Sequence, residues 1–216
     1  MPEPLTTPDP AALRAVAAIG FCGKLPARGD FVSAGLPRRF VDPWHDWMQR
    51  MLAASREALA EAWLEVWLEA PVWRFTLSPG VCGPDGVLGL WMPSVDRVGR
   101  YFPLTFAALA RNFDLAGPAC GSDGFLAVAE AAGRDALASD LAPDDLVARL
   151  GDAAANVWKA GADPAACPPG GSLWWSDGSA RVPRTTTACA SLPDEAEFVS
   201  MLDAGASEAS SGCGDR

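Results

Sequence analysis

Histidine is almost missing from this sequence: His45 is the only one in 216 residues. A nucleophilic triad needs a positioned base, usually histidine. His45 sits in D-P-W-H-D-W beside tryptophans, where a helix-face histidine reads as a packing or capping residue. No G-x-S-x-G is present, no G-x-G-x-x-G follows a strand, and no G-x-x-x-x-G-K-[ST] occurs. The six cysteines stand at 22, 82, 120, 167, 189 and 213, with no C-x-x-C and none beside His45. Zinc ligation at standard spacing is therefore not expected, and neither is any other metal or cofactor. No apolar run reaches the roughly 18 residues of a membrane span. The opening MPEPLTTPDP has no basic region and no long apolar run, so export is not expected. The cysteines are expected to be reduced and the chain cytoplasmic.

Half of the residues are hydrophobic, nine are tryptophan, and only Tyr101 is tyrosine. That composition describes a globular chain with a core. The net charge of −10 is unevenly spread. Residues 1–111 carry 11 basic and 11 acidic side chains, and residues 112–216 carry 6 basic and 16 acidic. The second half thus disfavours nucleic acid and anionic lipid.

Residues 1–17, rich in proline at the start, are expected to be a disordered leader, 18–204 a single domain, and 205–216 a disordered tail. AIGFCGKL (18–25), VWRFTLS (72–78), GVLGLWM (86–92) and FPLTFAALA (102–110) read as strands. The last three are joined by short Gly- and Pro-rich connections that favour antiparallel hairpins. From Asp42, a capping residue followed by Pro43, an apolar stripe runs from Trp44 to Trp67 at helical spacing. It predicts either one long helix or two packed helices broken near 58–60. Further helices are predicted at 125–139 (interrupted at Gly133), 144–158 and 193–203, and short strands at 172–176 and 185–191. The expected fold is α+β: one domain with a mostly antiparallel sheet flanked by helices on both faces. Trp47, Met51, Trp63, Trp67, Phe75, Leu77, Leu90, Leu104 and Phe106 are the predicted core.

The densest chemistry lies in MPSVDRVGRYFPL (92–104), where Asp96, Arg97 and Arg100 fall between two strands. GKLPARGDF (23–31) and PGVCGPDG (79–86) also follow strands, and the three loops are expected to form one surface patch. Lys24, Arg28, Asp30, Ser94, Asp96, Arg97, Arg100 and Tyr101 are the candidate partner-binding residues. The plainer alternative is that Asp96 pairs with Arg97 or Arg100 to fix the turn. Asp30 and Asp96 could form a carboxylate pair for hydrolysis or group transfer. However, the basic residues in each loop favour ionised, salt-bridged acids over a raised pKa. A phosphopeptide clamp built from Arg28, Arg97 and Arg100 is a further reading. Cys82 is the one candidate thiol nucleophile, without a histidine partner.

The order and spacing of GFCGKLPARGDF (20–31), DPW (42–44), APVWRF (70–75), PGVCGP (79–84) and MPSVDRVGRYFPL (92–104) resemble the TagF family of type VI secretion-associated proteins. Cys22 departs from the aromatic expected between Phe21 and Gly23. The resemblance implies a cytoplasmic accessory protein, a non-enzymatic post-translational repressor of apparatus assembly. It also implies binding to type VI secretion proteins, through the forkhead-associated scaffold; from charge and the lack of a long apolar run, neither nucleic acid nor membrane insertion is expected.

Overall fold

The apolar run at 86–92 forms the central strand of a seven-stranded sheet. The computed structural model describes residues 16–110, 124–139, 141–153 and 168–206. The strands are β1 (Val16–Gly23), β2 (Val32–Ala34), β3 (Trp73–Leu77), β4 (Gly86–Met92), β5 (Leu104–Ala110), β6 (Ser172–Ser176) and β7 (Thr185–Cys189). Their order is β2-β1-β5-β4-β3-β6-β7, and every pairing is antiparallel. The helices are α1 (Arg38–Leu59), α2 (Trp63–Glu69), α3 (Phe125–Ala138), α4 (Pro143–Ala153) and α5 (Glu195–Leu202). The α+β class and the single antiparallel sheet expected from the sequence are both present.

Both faces of the sheet are covered, so β4 does not show the apolar-in, polar-out alternation of a half-solvated antiparallel sheet. All seven residues of β4 are buried. Val87 and Trp91 point to the layer made by α1, α2 and α5, while Leu88, Leu90 and Met92 point to α3 and α4. Gly89 leaves room for Phe75, its partner in the register, whose Cζ lies 2.5 Å from where a Cβ would stand. Every predicted core residue is buried.

The long stripe divides into two helices, the second of the two arrangements expected. Ala60 takes φ 46°, the only positive φ outside glycine among the described residues. A short 3₁₀ turn (Ala60–Ala62) then leads into α2. Trp63 turns back so that its Nε1 donates to Ser55 Oγ at 2.9 Å. The start of α1 differs from expectation. It begins at Arg38, with Pro37 at the cap position and no side-chain cap, and Pro43 lies inside. Asp42 is an exposed helical residue, not a cap. Gly133 does not interrupt α3. A Cβ there would stand 2.6 Å from Met92 Cε and 2.9 Å from Phe106 Cε2, so this glycine lets the helix lie close on the sheet.

Strand β1 begins at Val16, two residues inside the expected leader. Residues 1–15 and 207–216, which hold the rest of the leader and most of the tail, lie outside the described residues, as does the predicted helical stretch 154–158. Cys22, Cys82 and Cys189 are free and buried.

Candidate functional site: a charged crest at one end of the sheet

Strand β5 runs antiparallel to both β1 and β4, so β1 and β4 point the same way. The loop after β1 and the loop after β4 therefore emerge at the same end of the sheet, on either side of β5. Gly23 permits this departure. Its φ is +136°, and a Cβ would stand 2.1 Å from Pro103 O. The loop 93–101 is closed by a bridge between Val95 and Tyr101. Inside it, Asp96 N donates to Arg100 O at 3.0 Å and Gly99 N to Asp96 O at 3.0 Å, with Gly99 at φ +84°.

Asp96 is the centre of the arrangement. Its side chain is fully buried. Oδ1 accepts from Val98 N at 3.0 Å and from Arg100 N at 2.9 Å. Oδ2 accepts from Lys24 Nζ and, at 2.7 Å, from Arg100 Nε. Burial alone would favour the neutral acid. The hydrogen bonds from Lys24, Arg100 and Val98 outweigh it and hold this carboxyl well below the usual carboxylate range. Asp96 is thus an ionised anchor with all its near lone pairs occupied.

The two loops are fastened at three further points. Ser94 Oγ donates to Lys24 O at 2.7 Å, Arg97 N donates to Arg28 O at 2.9 Å, and Arg100 Nη2 donates to Gly29 O. Tyr101 is half-buried, its ring edge-on to Trp63 at 5.6 Å. Asp30 lies at the rim with its side chain 99% exposed, 3.8 Å from Arg100. Two candidates remain without partners: among the described residues, the guanidinium groups of Arg28 and Arg97 make no ion pair, and both residues are exposed.

All eight candidate residues lie on these two loops. The third loop does not join them. Because β3 and β4 form a hairpin, residues 79–85 turn at the opposite end of β4 from 93–101, where Asp85 pairs with Arg39 at 2.9 Å. Successive hairpin turns alternate between the ends of a sheet, so the expected patch of three loops is a patch of two.

The geometry speaks against acid–base work by the two aspartates. Asp96 is buried and saturated, whereas Asp30 is in bulk solvent. Cys82 is buried in the far turn, its thiol pushed up to about 12 by burial. Burial likewise raises Cys22, and burial followed by the Glu197 carboxylate raises Cys189 to about 11. None of the three is a ready thiolate. His45 packs against Phe102 at 5.2 Å and Phe31 at 5.0 Å. Among the described residues no group of three or more His, Cys, Asp or Glu side chains could hold a metal ion, and no helix is long and apolar enough to cross a membrane.

Two ionic networks were not foreseen from the sequence. Arg74 bridges Glu130 on α3 and Asp177 after β6, at 2.6 and 2.8 Å. Arg181 bridges Glu65 and Glu69 on α2 and reaches Asp203 at 3.5 Å. Their partners lie 56 to 116 positions apart in the chain for the closest contacts, so no local pattern marks them.

Residues 20–153 match the model of the TagF N-terminal domain, type VI secretion system-associated. Among solved structures, the chain is similar to the crystal structure of PA0076 from Pseudomonas aeruginosa PAO1. That similarity has 36% identity and a TM-score of 0.72, covering 86% of this chain and 94% of that one. Among curated proteins no sequence matches. With more than half of its length matched by the domain model and a structural relative above 30% identity, this chain belongs to the TagF family of type VI secretion-associated proteins.

Proposed function

We propose that this protein is a non-enzymatic, cytoplasmic regulator that represses type VI apparatus assembly after translation, by binding secretion-system proteins through the charged crest. Its partner in this reading is the forkhead-associated scaffold. The observation that carries the proposal is the division of labour among the crest's cations. Lys24 and Arg100 are committed to Asp96 and to the neighbouring loop, while Arg28 and Arg97 stand exposed and unpaired on a rigid base. Exposed ion pairs contribute about 0–1 kcal/mol each. Surface stability therefore does not account for two arginines that make no pair at all.

The test uses a strain with an active secretion cluster, expressing either the wild-type chain or the Arg28→Ala/Arg97→Ala variant. The variant is expected to lose co-purification of the scaffold and to relieve repression, with its Tm within a few degrees of wild type. Full repression by a folded variant would sink the reading. Arg100 is the wrong residue for this test, since removing it also strips Asp96 of a partner.

A further inference from the structure

We infer that the crest recognises an acidic segment of its protein partner: carboxylates on the guanidiniums of Arg28 and Arg97, and an apolar side chain against Val98. This rests on the reading of the crest as the partner-binding surface and adds the chemistry of what it takes. The crest carries Lys24, Arg28, Arg97 and Arg100 against Asp30 and Asp96, an excess of positive charge on a chain of net charge −10. Local charge complementarity operates within about a Debye length, roughly 8 Å at physiological salt. A short acidic segment fits that range better than a long polyanion, which would also meet the acidic remainder of the molecule.

The two arginines are joined through their backbones. Arg97 N bonds to Arg28 O, and Arg97 Nη2 lies 3.9 Å from where a side chain on Gly29 would begin. Val98, at the tip between Arg97 and Gly99, is 64% exposed, the most exposed large hydrophobic among the described residues. Charge and apolar surface thus sit side by side on a turn whose backbone is fixed from within by Asp96, so little ordering remains to be done on binding.

The same internal bonding favours carboxylate over phosphate at loop 93–101. Phosphate sites are commonly built from converging backbone N–H groups. Here every amide of the tip is spent. The N–H groups of Val98 and Arg100 go to Asp96 Oδ1, that of Gly99 to Asp96 O, that of Asp96 to Arg100 O and that of Arg97 to Arg28 O. Recognition by loop 93–101 therefore falls to its side chains, over an open surface with Asp30 at its rim. That suits dispersed single negative charges better than one concentrated dianion.

The test is selection of phage-displayed random peptides on the full chain, followed by fluorescence anisotropy with the most enriched peptide. Enriched sequences are expected to hold at least two Asp or Glu residues around an apolar one, and the Arg28→Ala/Arg97→Ala protein is expected not to enrich them. Replacing the acids by Asn and Gln should weaken binding at least about tenfold, as should raising salt from about 50 to 300 mM. Val98→Ser should weaken it several-fold. Enrichment of neutral or basic peptides, or equal enrichment on the variant, would overturn the inference. So would tenfold tighter binding when one acid is exchanged for phosphothreonine.

The secretion assay separates this failure from failure of the functional reading. A variant that loses acidic-peptide binding yet still represses leaves the inference standing and removes its proposed role. A variant that loses repression although the wild type never selected acidic peptides keeps the surface and refutes its chemistry.

Discussion

The two faces of the sheet are covered in opposite ways. Under α1, α2 and α5 the core holds seven tryptophans, with Trp44 stacked or tilted against Phe40, Trp47, Phe75 and Trp174 at centroid distances of 4.7 to 6.2 Å. Under α3 and α4 one tryptophan among the described residues, Trp175, remains, and α3 contributes Ala129, Ala132, Gly133 and Ala136. One layer fills space with large rings, most of whose N–H groups find partners. Trp44 donates to Thr105 Oγ1, Trp47 to Pro193 O and Trp73 to Met201 O. The other layer brings the helix close and leaves little space to fill. The sheet between them therefore has a face that is sensitive to loss of volume and a face that is sensitive to gain.

Substitutions test that contrast. Trp44→Ala should produce the largest effect, about 3–5 kcal/mol of stability in urea melts. A loss below about 1 kcal/mol would mean the ring stack is redundant. Asp96→Asn examines a region beyond both faces, whose order is electrostatic. Asp96 has a depressed folded pKa, so its contribution is present above the unfolded value, near about 4, and is lost as pH falls through the folded value. The wild type should lose stability on acidification through this window. The Asn variant should be less stable at neutral pH, by on the order of 5 °C in Tm, with a flatter acid limb. Identical acid limbs would refute the anchor role.

On the close-packed face, Gly133→Leu should cost about 1–3 kcal/mol by overpacking against Met92 and Phe106. A neutral outcome would show that this layer yields. The smallest effect is expected for Trp67→Phe. Trp67 Nε1 is buried with no hydrogen bond, and the ring stacks on Trp91 at 6.2 Å. Phenylalanine keeps an aromatic face and removes an unsatisfied donor, so the change should stay within about 1 kcal/mol. A loss comparable to that of Trp44→Ala would mean ring size governs this face and N–H satisfaction does not.

How far the sequence could be read depended on whether the determining contact was local. Strand β4 is a single apolar run ending at Pro93 and β5 follows Pro103 with only Thr105 polar, whereas β3 alternates its apolar residues with Arg74 and Thr76; the helical stripe declared its face and left open whether it breaks near 58–60. The meeting of loops 23–31 and 93–101 hung on β1 pointing the same way as β4, a direction that the pairing of both with β5 supplies and the sequence left open. The start of α1 at Arg38 was hidden because Pro37 offers no capping side chain, whereas Asp42–Pro43 imitates a helix start one turn later. The three residues of β2 are too few to show a period. That Asp96 is an anchor and Arg28 a free cation depends on which lysine reaches which carboxylate 72 positions away, and composition within a loop cannot rank such partners.

The placement of β6 beside β3 bears on how the molecule can be divided. The domain match ends at residue 153, yet β6, β7 and α5 come after it and are part of the same sheet and the same core. A chain cut after 153 would expose the edge of β3 as an unpaired strand, and it would lose Trp174 from the ring stack and Phe198 from beside Trp47. The end of the domain match is therefore not a folding boundary. The first 153 residues are expected to be an aggregation-prone fragment rather than an autonomous module, able to recover solubility when the remaining segment is supplied as a separate polypeptide.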